Sequence, residues 1–238
     1  MKRYLPFVII IVVLAGAVAT VFLMLRKGGS ASSSHSSFVA ANQSPPPVTT
    51  LTNPTPAPAD SAPPMRPNVK VSSPVVLEEY GDYQCPPCGA LYPELKKIES
   101  EYGNQVHFVF HYLPLSRIHK NAMPAARAAE AARLQNKFWE MHARLYRNQK
   151  SWADEADPRP IFISYARELG LNADQFQSDM DSNRVEQAIT ADMQRAESLG
   201  INGTPTLVID GYQLRAEATN IDGIRRGINM MLERKAVS

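Results

Sequence analysis

The 238-residue chain has two cysteines, Cys85 and Cys88, and their position limits what it can fold into more than any other feature. Before them, residues 74–80 (Pro-Val-Val-Leu-Glu-Glu-Tyr) follow a turn-forming Ser-Ser and read as a strand, because β-branched and apolar residues suit a pleated, half-buried surface. After them, residues 89–102 read as a helix that Gly103 stops. Cys85 therefore falls where an N-cap belongs, with Pro86 at the first helical position and Pro87 behind it. Its sulfur meets the positive end of the helix dipole and is placed to accept from the Cys88 N–H, contacts that favour thiolate over thiol. The thiolate is the nucleophile in thiol–disulfide exchange. Cys88, one turn on and less exposed than an accessible Cys85, is placed to resolve a mixed disulfide.

Two other chemistries use such a pair. A structural zinc site needs four ligands; there is no second cysteine pair, and His107, His111, His119 and His142 are not spaced as a cluster that would complete one. A purely structural disulfide closing so small a loop removes little entropy from the unfolded chain. The redox reading is favoured over both, with no metal and no cofactor expected.

The surrounding pattern is that of an α/β domain. Leu91, Leu95 and Ile98 give the helix after the cysteines one apolar face. Residues 106–113 alternate as a strand ended by Pro114; His107 and His111 share a face of it and read as partly exposed strand residues rather than ligands. Residues 121–199 are helical in pattern, with an apolar stripe at Leu134, Phe138, Met141 and Leu145, and Trp139 beside it as core or groove. A polar break at 154–158 precedes further helices, one ended by Gly170 and one capped by Asn172, and a last at Val185, Ile189, Met193 and Ala196. Thr206-Leu207-Val208-Ile209 is the next strand, Asp210-Gly211 a hairpin turn, and Thr219 and Asp222 have capping-box spacing before a closing helix. A short edge strand is expected at 69–71. The order is strand, helix, strand, helical block, strand, strand, helix.

Three elements together resemble the thioredoxin superfamily, and within it the DsbA-like branch, in which a helical domain is inserted into the fold. Glu79, six residues before Cys85, matches the family's buried acid, and Pro93, eight after it, matches the helix-kinking proline. Gly203-Thr204-Pro205-Thr206 matches the loop whose cis-proline faces the cysteines. The resemblance covers about residues 70–235. It implies a thioredoxin-like domain at 69–238 with its helical insertion at about 115–200, a redox-active disulfide between Cys85 and Cys88, and proton transfer at Cys88 assisted by Glu79. It further implies a substrate surface formed by Pro86, Pro87, Thr204 and Pro205, with Thr204 presenting its backbone to an extended chain. A solvated strand-end carboxylate is the plain alternative for Glu79.

The first third of the chain differs. Residues 4–25 are an uncharged apolar run, long enough at about 1.5 Å per residue to cross a bilayer core of about 30 Å. Ala17-Val18-Ala19 offers a signal-peptidase site, but the apolar run continues past it, which favours an anchor at 1–27. Residues 28–68 are Ser-rich and then Pro-rich, a spacer rather than a core-forming segment. A formal net charge of +2 with interspersed signs argues against nucleic acid as a partner. The expectation is a single-pass membrane protein whose redox domain lies in the periplasm or extracytoplasmic space and acts on exported, cysteine-containing proteins. A DsbB-like oxidase, or else a membrane reductant, would be its redox partner; a reductase, an isomerase or a redox-inert binding module of the same fold are the alternatives. Strongly oxidising DsbA-like proteins have a histidine where Pro87 stands. The Cys85 pKa is therefore expected below the ordinary value of about 8.5 but above that of a histidine-containing site.

Overall fold

The computed structural model describes residues 74–237 and, as a two-residue strand, Thr49–Thr50. The apolar run at 4–25, the rest of the linker and the edge strand expected at 69–71 lie outside these residues. Among the described residues no helix is long and apolar enough to cross a membrane. In chain order the elements are β1 (Thr49–Thr50), β2 (Val75–Gly81), α1 (Pro86–Tyr102), β3 (Val106–Tyr112), α2 (Ala122–Leu134), α3 (Phe138–Arg147), the single turn α4 (Gln149–Trp152), α5 (Arg159–Glu168), α6 (Ala173–Met180), α7 (Asn183–Ser198), β4 (Thr206–Ile209), β5 (Tyr212–Gln213) and α8 (Ile221–Val237).

The strands form one sheet in the order β1-β5-β4-β2-β3. β2 lies inside it, parallel to β3 from Val75↔Val106 to Gly81↔Tyr112 and antiparallel to β4. Asp210 and Gly211 both have positive φ, 47° and 82°, as a two-residue hairpin between β4 and β5 requires. β1 pairs antiparallel with β5, so two residues of the stretch read as a spacer add the edge strand.

Three apolar clusters form among the described residues, two large cores and a small third of Tyr80, Leu113, Ala196, Ile201 and Val208 where α7 meets the sheet. Strand alternation places Val75, Leu77, Val106, Phe108, Leu207 and Ile209 in one core with Leu91, Leu95 and Ile98 of α1 and Ile224, Ile228 and Met231 of α8. The cap of α8 is Asn220, whose side chain accepts the Gly223 N–H at 3.0 Å. The Thr219–Asp222 box therefore does not form; the Thr219 hydroxyl instead donates back to the Arg215 carbonyl at 3.2 Å. The second core belongs to the helices between β3 and β4. Seven buried alanines of α2, Ala122 through Ala132, let their neighbours approach closely, and Trp152, Phe162, Phe176 and Met180 fill the space beside them. The apolar stripe is divided, because Asn136 at φ 60° ends the helix: Leu134 closes α2, while Phe138, Met141 and Leu145 belong to α3. Trp139 packs against both cores.

His107 is half-buried, as expected, but His111 is not a partly exposed strand residue. Helix α7 packs on its face of the sheet and brings Asp192 to 2.9 Å from Nδ1, while Glu78 of β2 stands 2.9 Å from Nε2. Arg195 of α7 donates to Glu78 and to the Tyr80 hydroxyl, and Tyr80 stacks on His111 at 4.5 Å. Asp192 also accepts the Tyr112 N–H at 2.9 Å.

Candidate active site

β2 runs out at Gly81, and the chain turns through residues 82–84 into α1. The turn is built on Asp82, which is buried: Oδ1 accepts the Gln84 N–H at 2.8 Å, a local bond of the kind aspartate makes two residues ahead. Its Oδ2 accepts the Leu115 N–H at 2.9 Å and lies 2.7 Å from His119 Nδ1. Its backbone carbonyl accepts the Cys85 N–H at 3.1 Å. The loop after β3 is thus tied to the turn that carries the cysteines. Neither Asp82 nor His119 was singled out as a site residue; the Asp-x-Gln spacing of an Asx-turn was the one signal available.

Cys85 is the N-cap of α1, and Pro86 and Pro87 are exposed in its first turn. Both cysteines are thiols here. Cys85 is nearly as enclosed as its partner, 5% exposed against 0% for Cys88, so the attacking sulfur is less accessible than its N-cap position suggested. Nor does its side chain make a capping hydrogen bond. The thiol reaches the loop before β4 and donates to the Thr204 carbonyl at 3.5 Å. The Thr204–Pro205 peptide bond is cis. Pro93 lies inside α1.

The electrostatics separate the two sulfurs. The neighbouring Cys88 thiol, followed by the Thr204 side chain and the Cys88 backbone N–H, lowers the Cys85 pKa to about 6 against the opposing effect of burial. Burial pushes Cys88 well above its ordinary value, with the hydrogen bond to Cys85 and the charge of Glu79 adding to it. Glu79 is 1% exposed, and its Oε1 has no hydrogen-bond partner among the described residues. Burial, then the charge of Cys85, raises its pKa to about 8, and the Tyr146 hydroxyl opposes the shift. A carboxyl near 8 beside a thiol near 6 can hold a proton while its neighbour has lost one, so the site can move a proton and an electron pair separately. The expected residues Glu79, Cys85, Cys88, Pro86, Pro87, Thr204 and Pro205 therefore meet at the C-terminal end of β2. Around them lies an aromatic floor that the sequence did not point to. Tyr83 stacks on Phe110 at 5.1 Å and shares a 3.0 Å hydrogen bond with His142 Nδ1, and Tyr92 stacks on Tyr146 at 5.5 Å.

The helical block also reaches this turn. Gln149 of α4 donates from Nε2 to the carbonyls of Tyr83 at 2.7 Å and Cys85 at 2.9 Å. Gln84 Nε2 donates to the Ala153 carbonyl at 2.6 Å, and its Oε1 accepts the Asn121 N–H at 2.6 Å. Among the described residues no group of His, Cys, Asp and Glu is arranged to hold a metal ion.

Comparison with known proteins places this geometry. The family model described as thioredoxin matches residues 70–229. A thioredoxin-like oxidoreductase from Silicibacter pomeroyi is similar in structure at a TM-score of 0.59 and 26% identity, over 74% of this chain and 99% of that one. BdbD from Bacillus subtilis, at 20% identity and a TM-score of 0.64, shares the fold over 79% of this chain and 98% of its own. The curated relatives include the Na(+)/H(+) antiporter NhaA 1 of Mycolicibacterium vanbaalenii, 36% identical over 148 residues, which are 60% of this chain and 23% of that protein. The chain spans about a quarter of the length of these relatives.

Proposed function

This chain belongs to the thioredoxin family, and from that premise we propose that it is a DsbA-like thiol–disulfide oxidoreductase that introduces disulfides into exported proteins from a membrane tether. The observation that carries the oxidising direction is the asymmetry of the pair, Cys85 lowered to about 6 and Cys88 raised. A thiolate stabilised in the dithiol form favours reduction of this protein and hence oxidation of its partner.

In the oxidised enzyme a substrate thiolate attacks the Cys85 sulfur. The Cys85–Cys88 bond breaks, its electron pair leaves on the Cys88 sulfur, and a mixed disulfide joins Cys85 to the substrate. Cys88 has a high proton affinity. Glu79, with a pKa of about 8, carries a proton at neutral pH and supplies it. A second substrate thiolate then attacks the substrate sulfur of the mixed disulfide, and Cys85 leaves as the thiolate its surroundings favour. One disulfide has moved to the substrate, and two electrons have moved to the enzyme. Pro86 and Pro87 at the surface, with Thr204 and Pro205 opposite, form the substrate face. The segment at 1–27 anchors the domain at 69–238, with its insertion at about 115–200, outside the cytoplasm through the spacer at 28–68. A membrane oxidase of the DsbB kind restores the disulfide.

Equilibration of the full chain with glutathione tests the direction. The expected potential lies above about −200 mV, whereas a value near −270 mV would place it with the reductants. In cells, Cys88→Ser should hold exported proteins on Cys85 as mixed disulfides, and Cys85→Ser should hold few.

A further inference from the structure

Disulfide exchange asks nothing of Gln149, yet this residue is built into the redox turn. Its Nε2 spends both protons on carbonyls of that turn, Tyr83 at 2.7 Å and Cys85 at 2.9 Å. The Cys85 carbonyl also accepts the Gly89 N–H at 3.1 Å, the first bond of α1, so helix and insertion hold the same oxygen. On the other side of the amide, a Cβ on Gly89 would come within 2.7 Å of Gln149 Oε1. Glycine inside a helix is otherwise unfavourable, and here it makes room for this side chain. The frame behind Gln149 is rigid. Trp152 is fully buried and donates from Nε1 to the Leu145 carbonyl at 3.0 Å. Asn121 Nδ2 donates to the carbonyls of Trp152, Ala153 and Glu155, and Gln84 donates to Ala153.

We propose that Gln149 is a positioning residue for the thiol–disulfide reaction: from the helical insertion, its amide fixes the backbone of residues 83–85 and so aims the Cys85 sulfur at the Thr204 carbonyl. Two donated hydrogen bonds also neutralise two carbonyl dipoles beside the sulfur, which favours the thiolate. Gly89 is the other half of the device, because any larger residue there pushes the amide off its carbonyls. The inference rests on the thiol chemistry of the pair and not on the direction of electron flow.

The test is a double-mutant cycle read on the full-length dithiol protein by thiolate absorbance against pH, a range in which Cys88 stays protonated. Gln149→Ala and Gly89→Ala should each raise the Cys85 pKa by about 1 unit, a tenfold loss of thiolate where it titrates. The double variant should move it no further than either single change. Gln149→Glu, which keeps the shape but cannot donate and adds charge, should raise it more. Gly89→Ala improves helix propensity, so its effect cannot come from a weakened helix. An unchanged pKa in Gly89→Ala or Gln149→Ala, or shifts that add in the double variant, would overturn the proposal. A thioredoxin-like potential would defeat the oxidase reading and leave this cycle untouched.

Discussion

Glu78 and Glu79 are neighbours on β2, and strand alternation sends them to opposite faces of one sheet. Glu78 meets α7, where His111 and Arg195 surround it; those partners outweigh burial and hold its carboxyl below the ordinary range. His111 has both nitrogens against carboxylates, which only accept, so both nitrogens donate and the ring is cationic. Asp192 and Glu78 accordingly raise its pKa against the effect of burial. Glu79 meets the cysteines instead; one of its oxygens has no partner among the described residues, and burial raises its pKa to about 8. One face spends its buried charge on joining the insertion to the sheet. The other keeps a buried carboxyl with no ion-pair partner among the described residues, and such a carboxyl costs stability while offering a proton. A single carboxylate type thus serves structure or chemistry according to what packs over it.

The comparison breaks most visibly at Asp192. Asp192→Ala leaves a cationic His111 and the Tyr112 N–H without their partner, and should cost about 3–5 kcal/mol in urea unfolding. The Cys85 pKa should hardly move, since α7 lies on the other face; a shift of a full unit would show that the two faces are coupled.

Glu79→Gln should do the reverse. Exchange at neutral pH should slow about 10²-fold, equivalent to about 2.7 kcal/mol on the barrier, and the inflection near pH 8 should vanish from the rate profile. Stopped-flow reaction with a reduced peptide measures it, and an unchanged profile would remove Glu79 from proton transfer.

The same variant sharpens the contrast through pH. A carboxyl raised from 4.5 to about 8 on folding is ionised in the unfolded chain and neutral in the folded one between those values. Its contribution to stability therefore falls as pH rises from about 4.5 to about 8 and is level beyond. Glu79→Gln should gain on the parent over that interval. On the α7 face the signs reverse. The lowered Glu78 stabilises above its ordinary value and is lost as pH falls through its folded one. The raised His111 stabilises below its ordinary value and is lost as pH rises through its folded one. His111→Gln should flatten the alkaline limb in a series of melts.

The smallest effect is expected of Glu78→Gln, which keeps the size of the side chain and one acceptor. It should cost about 1 kcal/mol and leave the exchange rate unchanged. A rate loss like that of Glu79→Gln would mean that the division between the faces is wrong.

The local features were legible in the chain itself: Cys85 at an N-cap followed by prolines, Gly103 after α1, the Asn172 cap, the Asp210-Gly211 turn, the β-branched run of β2 and the alternation of β3. Each is encoded within a few residues, by backbone preference and by the period of apolar side chains. The cysteine spacing and Gly203-Thr204-Pro205-Thr206 pointed to one another only through family resemblance. What the chain could not show was which distant groups meet. Family resemblance marked Glu79 as the acid beneath the cysteines, but nothing near Glu78 says that it faces His111 and Arg195, the latter 117 residues away. Gln149 lies 64 residues from Cys85, and its bonds to the redox turn exist because α4 is seated by Trp152 and Asn121. Such pairings depend on sheet register and on how the insertion packs, and these are settled by the whole core at once. Backbone preference and apolar period, read along the chain, were enough for the elements, the redox pair and the class of chemistry; which buried charges hold the fold and which stand ready to react follows from partners that packing brings together.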